Sequence, residues 1–192
     1  MVLRAGCHPL GTERGRIVLR TSRDGLASQA GHDLSIEVTR WSGELTVADD
    51  LSPTGLTVRI DMNSLVVREG TGGLKPLTDR DRREIAVTAR KVLGADRHPE
   101  AVFSASAFEP GSGGGGGVIA GTLTIAGAGR PVRLQLSESR DGVYQAATSV
   151  LQSAFGVKPY TALLGALRVR DAVDIEVDVN LSEQGDAPVA GP

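Results

Sequence analysis

From Val118 to Leu136 the chain alternates apolar and other residues on both sides of a glycine-rich break. Ile119, Leu123 and Ile125 share one parity, and Val132, Leu134 and Leu136 share another after Gly127-Ala128-Gly129. Period-two alternation flanking a glycine turn predicts a β-hairpin with one buried face and one wet face. A helix would scatter these side chains around its circumference, so the chain is constrained toward antiparallel sheet.

The same alternation recurs elsewhere. Arg16 to Thr21 is a short strand candidate. Leu34, Ile36 and Val38 face one way and Ser35, Glu37 and Thr39 the other. The apolar parity then moves to odd positions at Trp41, Leu45 and Val47, which predicts a bulge or corner near Arg40. Ser52-Pro53-Thr54-Gly55 reads as a turn, followed by Leu56, Val58, Ile60 and Met62 on one face. Further strands are expected from His98 to Phe108, with Ala101, Phe103 and Ala105 together, and from Tyr144 to Leu151. In the last, from Asp171 to Leu181, Val173, Ile175, Val177 and Val179 alternate with acids and Asn180.

One helix interrupts the strands. Residues 69–77, with Gly70, Gly72, Gly73 and Pro76, form a loop; Thr78 can then cap a helix whose first turn holds Asp79 and Asp81. Ile85, Ala89, Val92 and Leu93 recur at helical spacing before Gly94. This apolar stripe needs a partner, so the helix should lie across one end of the sheet, as a hinged lid or as a rigid plug. The glycines from 111 to 117 precede a strand rather than a helix, so they read as a hairpin tip and not a phosphate cradle.

Composition narrows the function. A net charge of −2, with 21 Lys and Arg scattered among 23 acids, argues against a nucleic-acid partner. No stretch approaches the roughly 18 apolar residues of a membrane-spanning helix. Cys7 is alone, so no intramolecular disulfide can form. Residues 1–14 read as a flexible leader without a hydrophobic signal segment, and residues 183–192 as a disordered tail. A cytoplasmic location is the expectation. His8, His32 and His98 stand at no metal-ligand spacing, and no Gly-x-Ser-x-Gly elbow is present. His32-Asp33 is the best acid–base candidate, with Tyr144 as an accessory. Adjacent strand residues point to opposite faces, however, so the pair cannot act simply as base and orienter.

Several segments, in order, resemble the YceI-like family. Its strand–turn–strand signature is matched from Gly121 through Leu123-Thr124-Ile125 and Gly127 to Pro131-Val132. Similar to the family as well are Gly31-His32-Asp33-Leu34, Trp41-Ser42-Gly43, Ile60 to Val67, His98 to Ser106, Ser153 to Val157, and Asp171-Ala172-Val173. The resemblance implies an all-β fold, an antiparallel eight-stranded lipocalin-like barrel with one helical insertion, spanning residues 15–182. It also implies a non-enzymatic protein that binds, transports or sequesters a long apolar lipid such as a polyisoprenoid, an isoprenoid quinone or a fatty-acid derivative. No cofactor, metal or nucleic acid is expected, nor stable membrane insertion; a homodimer is an expected form of assembly. Family members are often periplasmic and are linked to bacterial stress responses.

The lumen candidates are Leu34, Ile36, Val38, Trp41, Val58, Ile60, Phe103, Leu123, Leu134, Phe155 and Val177. Two other readings remain open. One is a small lipid-modifying or isomerase-type enzyme using lumen His32 and Asp33; the other is a ligand-free interaction scaffold whose lumen is filled by side chains.

Overall fold

A computed structural model describes residues 4–111, 116–140 and 142–182. Its strands are β1 (Gly6–Gly11), β2 (Gly15–Asp24), β3 (Asp33–Val38), β4 (Trp41–Val47), β5 (Pro53–Asp61) and β6 (Leu65–Thr71). After helix α1 (Asp79–Val92) come β7 (Glu100–Pro110), β8 (Gly116–Ile125), β9 (Ala128–Arg140), β10 (Val143–Leu151), β11 (Thr161–Ala162) and β12 (Leu167–Asn180). The strands form one antiparallel sheet in the order β1-β4-β5-β7-β8-β9-β10-β12-β2-β3-β6, with β11 on β12. Among the described residues the protein is therefore all-β with one α-helix, and its sheet curls into a half-barrel.

The expected count of eight strands needs correction, because the sheet contains twelve. Residues 6–11 were expected to be part of a loose leader, yet they pair with β4 from Gly6↔Val47 to Gly11↔Ser42. Only Leu10 of β1 packs against the apolar core, so this edge strand carries no alternation to reveal it. β11 is only two residues long. The remaining excess comes from a corner.

At that corner β3 passes into β4 and β5 into β6. The Thr39 N–H and hydroxyl both donate to the Ser64 carbonyl, at 3.1 and 2.8 Å, and the Asp61 N–H donates to the Arg40 carbonyl at 3.1 Å. Asp61 accepts from the Asn63 N–H at 2.7 Å and from the Arg40 guanidinium at 2.7 and 2.9 Å. The buried Ser64 hydroxyl donates to the Asp61 carbonyl at 2.7 Å. These bonds satisfy the backbone where the ladder breaks, as a bent sheet requires. They also shift inward-facing parity from Ile36 and Val38 to Trp41, Leu45 and Val47, all five buried.

Two turns differ from the sequence reading. The turn before β5 spans Ala48 to Ser52, with Leu51 at φ 67°, and Pro53 opens the strand. A proline is tolerated there because the first residue need not donate to the ladder. The β8–β9 turn is Ala126-Gly127, since Ile125 already pairs with Ala128. Both residues have positive φ, 50° and 79°, matching the twist that two-residue hairpins need. The expected tip at 111–117 falls partly outside the described residues, and Gly116 and Gly117 belong to β8. The expected tail lies wholly outside them.

Helix α1 begins with a full capping box: the Asp81 N–H donates to Thr78 Oγ1 at 3.2 Å and the Thr78 N–H to the Asp81 carboxylate at 2.9 Å. It packs on β6, burying Ala86 among Ile17, Ile36, Val38, Trp41, Leu65 and Val67. A second cluster gathers Phe103, Ile119, Leu134, Ala146 and their neighbours on the opposite wall.

The outer face carries cross-strand ion pairs, including Arg20–Glu176 at 2.7 Å, Arg59–Glu100 at 2.8 Å and Arg133–Glu109 at 2.7 Å. This is the reverse of a transmembrane barrel, whose outer band is apolar. Among the described residues no helix is long and apolar enough to cross a membrane. Such exposed pairs are worth little individually, so the corner should matter more. Asp61→Ala is expected to lower unfolding free energy by about 1–2 kcal/mol in urea titrations, and Asp61→Asn by less because asparagine still caps.

Candidate ligand-binding cavity

Inward parity gives the half-barrel an apolar interior, and that interior is filled at one end only. Phe103, Trp41, Leu134, Val58 and Val177 pack together with their neighbours toward the Ile119 and Ala146 end. Further along the same strands lies a cavity of about 730 Å³. Its walls include the later residues of β2, β5, β8 and β10, the earlier residues of β6, β7 and β12, and Leu34, Ile36 and Val38 of β3. Ile85, Ala89, Val92 and Leu93 of α1 face it, as does Phe155 of the Gln152–Phe155 3₁₀ turn. The stripe predicted from helical spacing thus finds its apolar partner.

Six of the eleven expected lumen residues line this cavity: Leu34, Ile36, Val38, Ile60, Leu123 and Phe155. The other five, Trp41, Val58, Phe103, Leu134 and Val177, point inward but sit in the packed half. Sequence reasoning missed Leu19, Thr21, Val150, Val173 and Ile175, which also line it. Their alternation was visible, particularly at Val173 and Ile175, but the level along the barrel was not.

Loops border the open end. His32 Nε2 donates to the Lys75 carbonyl at 2.8 Å, so this nitrogen carries the proton. Arg23 Nη1 donates to the Gly31 carbonyl at 2.9 Å, and the Arg23 N–H donates to Asp33 Oδ1 at 2.8 Å. The Arg23 guanidinium and the His32 ring lie against Gly72 and Gly73, where any Cβ would collide with them. These glycines therefore allow close approach, and the loop before α1 is docked rather than free. At the other end of α1, Ala95 is 1% exposed and packs with Met62 and Ala101. Both attachments favour the plug over the hinged lid.

The acid–base candidates are not gathered at one point. His32 lines the cavity, but Asp33 is engaged by Arg23, and Tyr144 lies on β10 without lining the cavity. Among the described residues no group of three His, Cys, Asp or Glu could hold a metal. One polar feature stands out in the apolar wall: the Thr21 hydroxyl is buried with no hydrogen-bond partner, between Leu34 and Val173 in register.

Carboxylates tie the loops around the opening together. The Gly25 N–H at 2.7 Å, then Arg168 Nε at 3.1 Å, hold the Asp24 carboxyl below its usual range. The Ser153 hydroxyl, followed by the Ser153 N–H at 2.8 Å, does the same for Asp171. A carboxyl depressed in the folded state stabilises it above the unfolded value, near 3.9, and that stabilisation is lost as pH falls through the folded value. Melting temperature should therefore not vary through these groups above about pH 4 and should drop below it. The double variant Asp24→Asn, Asp171→Asn is expected to have a shallower acid limb in a pH series of thermal melts.

Residues 20–181 match the family model described as the YceI-like domain. Among solved structures, the chain is similar to Burkholderia cenocepacia BcnA at 18% identity, covering 86% of this chain and 94% of that one, with a TM-score of 0.60. It is also similar to the Campylobacter jejuni YCEI protein at 19% identity, over 77% and 85% of the two chains, with a TM-score of 0.50. No curated protein sequence matches it. Structural similarity at such identity speaks to the fold alone.

Proposed function

Since the chain belongs to the YceI-like family, we propose that its barrel is a non-enzymatic binding site for one long apolar molecule, such as a polyisoprenoid, an isoprenoid quinone or a fatty-acid derivative. The observation that carries this reading is the 730 Å³ cavity walled by aliphatic side chains from eight strands and α1. That volume falls within the roughly 300–1,000 Å³ of small-molecule sites. Each methylene buried there contributes about 0.8 kcal/mol, so a long chain binds tightly without many polar contacts. The unpartnered Thr21 hydroxyl offers one hydrogen bond, suited to a hydroxyl or carbonyl on the ligand.

The strand pairings support the same reading. If β3–β4 and β5–β6 each count as one bent strand, and β1 and β11 are set aside, the remaining pairings form a circuit of eight. An eight-membered barrel is just wide enough to hold one small or slender ligand. A ligand-free scaffold would be packed throughout. For the enzyme reading, Asp33 is engaged by Arg23 and Tyr144 lies outside the cavity lining, so the three candidates do not converge on one point.

Native mass spectrometry of the purified protein is expected to show a co-purified lipid, or uptake of an added prenyl alcohol. Ile175→Trp, which fills the cavity from β12, should weaken uptake at least about tenfold. Trp41→Phe, in the packed half, should leave it unchanged. An empty protein that also rejects prenyl alcohols and fatty acids would refute the proposal.

A further inference from the structure

Five of the eight exposed large apolar side chains among the described residues lie on the loops around the cavity's open end. Leu26 and Leu164 are fully exposed, Leu74 is 77% exposed and Leu163 60%, with Tyr160 beside the opening. These loops are one connected rim. The Ala27 N–H donates to the Ala166 carbonyl at 2.9 Å, joining the Leu26 loop to the Leu163–Leu164 loop. Leu167 packs on Gly31, and the next residue, His32, bonds the Leu74–Lys75 loop.

Folding alone does not favour this arrangement. Leu163 and Leu164 have φ of 50° and 56°, a left-handed backbone that branched side chains rarely adopt and that glycine or asparagine would adopt more easily. Two leucines are held outward in strained backbone, where Leu164 buries nothing in this chain and Leu163 buries less than half of itself. Strain of this kind collects at functional sites. The rim also carries cations. Asp24 is held by Arg168, Asp33 by Arg23 and Glu84 by Arg80, Asp171 and Asp81 are held by Ser153 and Thr78, and Lys75, Lys158 and Arg170 make no ion pair among the described residues. Exposed leucines, a tyrosine at the same level and unpaired cations are what an anionic lipid–water interface accommodates.

We propose that this rim docks on the surface of an anionic phospholipid bilayer, so that an apolar ligand can pass between membrane and cavity without crossing water. The inference rests on the ligand reading above for its purpose, though not for its test. Leucine insertion supplies the apolar term and Lys75, Lys158 and Arg170 the electrostatic one. Together they give reversible attachment rather than spanning.

Co-sedimentation with vesicles of equimolar phosphatidylcholine and phosphatidylglycerol tests this directly. The wild type should bind, more weakly to phosphatidylcholine alone and more weakly in high salt. The variant Leu163→Asn, Leu164→Asn should bind at least about tenfold more weakly. Asparagine suits the left-handed backbone, so this variant should melt no lower than the wild type and keep the same lipid uptake by native mass spectrometry. Replacing Lys75, Lys158 and Arg170 with serine should remove the preference for anionic vesicles.

A wild type that binds no vesicle, or binding that the asparagine variant leaves unchanged, would overturn the proposal. So would a rim buried between two copies of the chain, seen as a dimer in sedimentation that the asparagine variant dissociates. Vesicle binding without lipid uptake would refute the ligand reading and leave the docking reading standing, and the reverse result would do the opposite.

Discussion

At the junction of Arg40 and Asp61, one carboxylate accepts from the Asn63 N–H and from a guanidinium while its own backbone bonds across to Arg40. Burial works against ionisation of Asp61, but the Arg40 and Asn63 hydrogen bonds outweigh it and keep its carboxyl below the usual range. Without this corner, β3 and β4 would form one straight strand, and residues beyond Thr39 would present their polar faces inward. Because side chains alternate with a period of two, a single uncompensated residue exchanges inside and outside for the rest of a strand. The corner absorbs that exchange once for both strands. Every apolar side chain from Trp41 to Val67 depends on it.

The cavity follows from the placement of a few large side chains. With aromatics at 3% of the chain, Trp41 and Phe103 serve the packed half, and Phe155 and Tyr160 reach the open one. Elsewhere the inward positions at the open end are mostly Leu, Ile, Val and Ala, too short to meet across the barrel. The void is thus a consequence of aliphatic walls held apart by a hydrogen-bonded sheet. Helix α1 covers part of it, anchored through Ala86 at one level and the buried Ala95 at the other. A ligand with flexible methylenes can supply the dispersion contacts that the walls cannot make with one another.

Around the opening, polar groups organise loops rather than perform chemistry. His32 and Arg23 each bond a backbone carbonyl and rest on glycines 72 and 73, and Asp24 links β2 to β12 through Arg168. The loops so held expose leucines, although their backbones are well bonded. Rigid attachment combined with apolar exposure distinguishes this rim from the floppy polar tips usual for surface loops.

Local periodicity by itself determined much of this protein. The 118–136 hairpin, the parity change near Arg40, the capped helix from Asp79 and the inward set Leu34, Ile36 and Val38 were all legible, because each depends on neighbours within a few residues. Edge strand β1 was not, since its partner is β4 and only Leu10 meets the core. Nor did the alternation say that Val177 would be packed while Ile175, two residues earlier on the same face, would line empty space. That difference depends on what stands opposite each of them across the barrel, and it arises only when distant strands come to the same level. Sequence determined which side chains face inward. Tertiary structure alone decided where the interior closes, where it stays open, and which leucines ring the opening.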